Sequence, residues 1–94
     1  MHFVYIIYSE DIDRYYVGET SDLEIRLDEH INGLFKGAFT SQANDWEIFV
    51  SIECDDRIQA RKIEKHIKQM KSRKYIQNLK DYSEIVSRLL ETYK

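Results

Sequence analysis

The chain has 94 residues, 43% of them apolar and 13% aromatic, with a formal net charge of −3. That size allows one domain with one core, and the apolar content argues against a mainly disordered chain. The longest apolar stretch, Phe3 to Tyr8, is too short to cross a bilayer, and Met1-His2-Phe3-Val4 lacks the basic and long apolar regions of a secretory signal.

Phe3-Val4-Tyr5-Ile6-Ile7-Tyr8 reads as a strand, apolar on both faces. Ser9 to Arg14 is a polar turn, and Tyr15-Tyr16-Val17-Gly18 reads as the returning strand of a hairpin. Ser21 with Glu24 three residues later matches a capping box, which predicts a helix from Asp22 to Ile31 with Leu23, Leu27 and Ile31 on one side. Asn32-Gly33 stops it, and Leu34 to Asp45 reads as loop. Trp46, Ile48, Val50, Ile52 and Cys54 alternate with Glu47, Phe49, Ser51 and Glu53, the period of a third strand. Cys54 is the sole cysteine, so there is no internal disulfide and no cysteine-rich zinc cage.

Asp56 and Gln59 predict a second box ahead of a helix whose buried stripe is Ala60, Ile63, Ile67 and Met70. Ser72 to Leu79 reads as a short helix and Ser83 to Tyr93 as a terminal one. The order ββαβααα predicts an α+β fold, a small three-stranded sheet covered by helices. The whole reads as a soluble, cytoplasmic protein with no membrane partner.

The small net charge conceals a segregation. Residues 1–56 carry 3 Lys+Arg against 13 Asp+Glu, residues 57–80 carry 9 against 1, and residues 81–94 carry 2 against 3. A −10 half followed by a +8 segment builds a local positive field on an acidic molecule.

Three groups carry candidate chemistry. Tyr5, Tyr8, Tyr15 and Tyr16 on adjacent strands are either packing residues or phenols able to exchange a proton. Arg26 and His30, one helical turn apart, are either a solvated ion-paired face or a phosphate clamp beside a proton carrier. Glu64, the one acid among nine cations, is either an i,i+4 partner of Lys68 or a ligand for a hard divalent cation that keeps several waters. Arg61, Lys65, Lys68, Lys71, Arg73, Lys74 and Asn78 are candidates for touching nucleic acid. No Gly-rich phosphate loop, HExxH or nucleophile elbow is present, so P-loop, zincin and serine-hydrolase chemistry have no support.

Taken in order, Val4-Tyr5-Ile6, Tyr16-Val17-Gly18, Arg26, His30 and Glu64 resemble the GIY-YIG nuclease superfamily, in particular its small standalone members, the UPF0213-like group. The run Tyr15 to Leu27 carries the likeness most strongly, and the resemblance covers residues 2–80. The chain departs from the pattern at Phe3 and Val4, at Glu19, where relatives often carry a basic or neutral residue, and at Ile31-Asn32-Gly33. None of these removes a carried-over side chain.

The resemblance implies a three-stranded antiparallel sheet flanked by helices, with the nuclease domain at 1–80 and a C-terminal helix at 81–94 packed on it. It implies Mg²⁺- or Mn²⁺-dependent hydrolysis of DNA phosphodiesters, on structured or damaged DNA, with a targeting protein as a further partner. Tyr16 would be the general base, Tyr5 would orient water or phosphate, Arg26 would clamp the phosphoryl oxygens, His30 would assist proton transfer or position the leaving group, and Glu64 would hold the metal. Asn78 would occupy the family's late asparagine position. Two other classes stand beside this: a non-catalytic nucleic-acid-binding module using the basic helix 57–80, and a protein-interaction domain whose basic face meets an acidic partner.

Overall fold

A computed structural model describes residues 1–33 and 39–94. Strands β1 (His2–Ser9), β2 (Arg14–Thr20) and β3 (Glu47–Cys54) form one antiparallel sheet in the order β2-β1-β3. Helices α1 (Leu23–Ile31), α2 (Arg57–Met70), α3 (Arg73–Asp81) and α4 (Ser83–Thr92) surround it. A 3₁₀ turn at Phe39–Gln42 precedes β3, and residues 34–38 of the predicted 34–45 loop lie outside the described residues. None of the described helices is long and apolar enough to cross a membrane.

β1 is apolar on both faces because it is the central strand. Val4 and Ile6 face one way and join Val17, Ile52, Cys54, Ala60, Ile63, Ile67, Leu79 and Leu89 in the larger core. Tyr5 and Ile7 face the other way and pack with Trp46, Leu23, Leu27 and Ile31. The α1 stripe therefore covers one face of the sheet, and helices α2 to α4 contribute to the core on the other.

The starts of α1, α2 and α3 are capped by side chains, with one difference from expectation, while α4 starts after Tyr82 with no side-chain cap. Asp22, not Ser21, caps α1: its carboxylate accepts the N–H of Ile25 at 3.1 Å. Thr20 Oγ1 accepts the N–H of Asp22, which fixes the chain one residue later than the box predicts. Asp56 caps α2 through the N–H of Gln59 at 2.8 Å, while Gln59 Oε1 reaches back to the N–H of Asp55. Ser72 caps α3 through the N–H of Tyr75.

Two further expectations are corrected. The buried stripe of α2 ends at Ile67. Met70 closes the helix, the chain turns through Lys71 at φ 48°, and Met70 stays 45% exposed. The alternation in β3 breaks at Phe49, where Ile6 pairs with Val50 but Ile7 pairs with Ile48. This bulge puts Phe49 and Val50 both against the larger core and leaves Ile48 on the other face, exposed at 38%. Trp46 precedes the strand, is 1% exposed, and donates its indole N–H to the carbonyl of Thr40 at 2.9 Å.

Register places Tyr5 opposite Gly18. A Cβ added at Gly18 would stand 2.4 Å from Tyr5 Oη and 2.6 Å from Cζ, so the phenol lies across a position only glycine can hold. Gly18→Ala is expected to displace the Tyr5 ring and to destabilise the fold by about 1–3 kcal/mol, the usual cost of overpacking. Urea unfolding of the variant checks this, and an unchanged midpoint would show that the ring has room to move.

Candidate active site

The tyrosine set divides by strand parity. Tyr8 and Tyr15 pair across the strands with ring centres 4.7 Å apart, and Tyr15 also meets Phe49 at 5.1 Å on the larger-core side. Those two are packing residues. Tyr5 and Tyr16 stand on the opposite face with ring centres 6.4 Å apart, and His30 from α1 lies 5.8 Å from the first and 5.1 Å from the second.

His30 belongs to the interior. It is 2% exposed, its Nε2 is 2.8 Å from Tyr5 Oη, and its Nδ1 is 2.8 Å from Thr40 Oγ1. Burial, with a smaller contribution from the Arg26 cation, pulls its pKa down to about 4. Burial likewise pushes the Tyr5 phenol well above its ordinary value, and nearby Tyr16 adds to this. The nearby Arg26 cation pulls it back only in part. Both groups are therefore neutral at physiological pH. Arg26 is half-buried and also meets Glu29 at 3.3 Å, an ion pair of the kind worth about 0–1 kcal/mol, easily exchanged for a phosphate.

Glu64 enters from α2. Lys68 connects it to the tyrosines: its ammonium is 3.6 Å from Glu64 Oε2 and 5.9 Å from the centre of the Tyr16 ring. Both single-residue readings of Glu64 thus share one place, since an exposed i,i+4 pair is weak and the carboxylate remains 20% exposed. No group of three or more His, Cys, Asp or Glu side chains converges among the described residues. The donor chemistry accordingly fits a hard cation such as Mg²⁺ held by one carboxylate, with waters and phosphate supplying its other ligands, and does not fit a protein cage.

The cations surround this point unevenly. Arg61, Lys65, Lys68 and Lys71 line a concavity of about 590 Å³ with Glu64. Lys68, Lys71 and Arg73 line a second, of about 430 Å³, against Tyr15 and Tyr16. Arg73 is partly committed elsewhere: it holds Asp13 by carbonyl and carboxylate at 2.9 and 2.7 Å and covers the Tyr15 ring at 5.0 Å. Lys74 is exposed on α3 and Asn78 half-buried, and neither lines these two concavities. The departure at Glu19 is answered locally, because His2 and Arg57 both meet its carboxylate.

Two participants escape sequence reasoning. Thr40 sits in a polar loop with no periodicity, and its place beside His30 follows only from the 3₁₀ turn. Lys68 was legible as the i,i+4 partner of Glu64 and within the basic run, but its place over the Tyr16 ring was not.

The depressed pKa of His30 has a consequence for stability. Between its folded value of about 4 and its ordinary value near 6.5, the unfolded chain binds the proton more readily. Stability is therefore lost as pH falls through that window. Urea unfolding at pH 7 and about 4.5 should show roughly 2 kcal/mol more acid loss in the wild type than in His30→Asn. Parallel pH dependence in the two proteins would contradict a buried neutral ring.

With the geometry in place, comparison with known proteins agrees on one point. The family model described as "GIY-YIG catalytic domain" matches residues 1–78. That match does not distinguish the small standalone subgroup. Neither the curated proteins nor the solved structures yield a match to this chain. The matched span contains both tyrosine strands, α1, and all of α2 including Glu64, which is the whole of the constellation above. The chain belongs to the GIY-YIG nuclease superfamily.

Proposed function

We propose that the chain is a divalent-metal-dependent endonuclease that hydrolyses DNA phosphodiester bonds. One observation carries the reading: Tyr5, Tyr16, Arg26 and His30 converge on one face of the β1–β2 hairpin, and Lys68 ties Glu64 to Tyr16. A pure binding module has no use for a buried tyrosine–histidine pair behind such a surface.

In this reading Tyr16 is the general base that takes a proton from the attacking water. Tyr5, held from behind by His30 and flanked by the Arg26 cation, orients that water against the phosphate. Arg26 exchanges Glu29 for the phosphoryl oxygens and stabilises the charge that grows on them. His30 has Nε2 against Tyr5 and Nδ1 against Thr40, and acts through Tyr5. Glu64 would hold Mg²⁺ or Mn²⁺, which when bound supplies Lewis-acid stabilisation of the same phosphate. Arg61, Lys65, Lys68 and Lys71 draw the DNA backbone along α2, with Arg73, Lys74 and Asn78 as outlying contacts.

The nuclease unit is assigned to residues 1–80. The helix at 81–94 braces it, supported by Leu89 in the larger core and by the His66 Nδ1 to Tyr93 Oη contact at 2.9 Å. The small footprint of the basic surface favours structured or damaged DNA, or delivery by a partner protein, over reading of a long sequence. A cytoplasmic location accords with the lone buried thiol.

A screen of duplex, nicked, flap and branched DNA with Mg²⁺ and Mn²⁺ tests the proposal. Nicking is expected to disappear in Glu64→Gln and to fall by about 10²–10⁴ in Tyr16→Phe, with unfolding midpoints unchanged. Robust cutting by Glu64→Gln sinks the assigned role of that carboxylate, and salt-sensitive binding without cutting by the intact protein returns the domain to a binding module. Measured with Glu64→Gln, the log–log salt dependence of DNA affinity should lose about one unit of slope for each of Arg61→Ala and Lys65→Ala. An unchanged slope removes those residues from the interface.

A further inference from the structure

Tyr5, His30 and Thr40 form a chain of two short contacts whose direction turns on the tautomer of the ring. A guanidinium carries no acceptor, so the Arg26 cation near Tyr5 favours a phenol that turns its lone pairs toward it and its proton away. His30 Nε2, 2.8 Å away, is an acceptor within reach of that proton. A nitrogen that accepts is the unprotonated one of a neutral imidazole, and burial keeps this ring neutral. In that arrangement its one N–H sits on Nδ1 and is donated to Thr40 Oγ1, also at 2.8 Å. Thr40 itself is fixed: it is 1% exposed, and its carbonyl accepts the Trp46 indole N–H at 2.9 Å and the Ala43 N–H at 3.5 Å.

We infer that Thr40 is a positioning residue whose hydroxyl oxygen locks His30 in the Nδ1–H form and so turns the hydroxyl proton of Tyr5 inward, away from the substrate. The consequence is a choice of polarity at the catalytic surface. With its proton turned to Nε2, Tyr5 presents only lone pairs outward, toward the Arg26 cation and the hydrogen of an attacking water. In the opposite tautomer Nε2–H would donate to Tyr5, and the phenol proton would swing outward to bond a phosphate oxygen instead. No proton moves along this chain. Burial holds both the phenol and the imidazole in their neutral forms, so it serves as a fixed set of dipoles.

The catalytic meaning rests on the nuclease reading above, whereas the tautomer does not, and the test separates them. In protein labelled with ¹⁵N-histidine near neutral pH, without DNA, the His30 resonances are expected to report a protonated Nδ1 and a bare Nε2. A wild-type spectrum showing Nε2–H overturns the inference. Thr40→Val, which keeps the shape and removes the acceptor, should move the ring to Nε2–H, while Thr40→Ser keeps the original form. The valine variant should also lose about 10–100-fold in kcat with little change in KM, with serine restoring it. A folded valine variant with the wild-type tautomer overturns the proposal as well. Wild-type and serine spectra decide the matter even where the valine variant does not fold. A wild-type protein that never cuts DNA but shows the Nδ1–H form refutes the nuclease reading alone.

Discussion

Tyr5 lying across Gly18 is the contact from which the rest of the site follows. The bare position on β2 lets a large phenol lie down on a neighbouring strand instead of standing off it. That carries Oη to His30 of α1 and, through the ring, to Thr40 in the turn before β3. One register pair thus couples the hairpin, the helix over it and the 3₁₀ turn. The same strand serves the other core with Val4 and Ile6, so the site cannot shift without disturbing both layers.

Charge is arranged around this contact with a neutral centre and a charged rim. Tyr5 and His30 are both held uncharged by burial, which makes their hydrogen bonds strong and directional. Much of the acidic half of the sequence is occupied locally. Glu19 meets His2 and Arg57, Asp13 meets Arg73 and Tyr8, and Asp45 accepts from Ser9 and the N–H of Asp11. Arg61, Lys65, Lys68 and Lys71, by contrast, stand around Glu64 and open to solvent. Segregation along the chain therefore becomes segregation over the surface, and an overall negative charge coexists with a basic approach to the site.

Much of this was legible in the sequence, for identifiable reasons. The uninterrupted apolar run of β1 announces a strand covered on both sides, and the four-residue spacing of α1 announces its buried stripe. Asp56 and Ser72 cap helices as their residue types promise. The failures were local contests between nearby options. Ser21 and Asp22 are both good caps, and only the bond from the Asp22 N–H to Thr20 decides between them. The bulge at Phe49 is a pairing event with no sequence period of its own. Tyr8 and Tyr15 resembled Tyr5 and Tyr16 in type and were separated from them by strand parity alone. Lys74 came from the basic run and Asn78 from the family resemblance, and neither lines the two concavities.

The irregularity in β3 also bears on how so small a sheet stays solitary. Among the described residues β3 is an edge strand, paired only to β1, and an exposed edge invites the backbone of another chain. Here the bulge twists the middle of that edge, and Glu47 and Glu53 stand exposed near its two ends. An incoming strand would meet a broken ladder and a carboxylate on either side. The feature that spoils a tidy alternation thus guards the sheet against growing by strand addition.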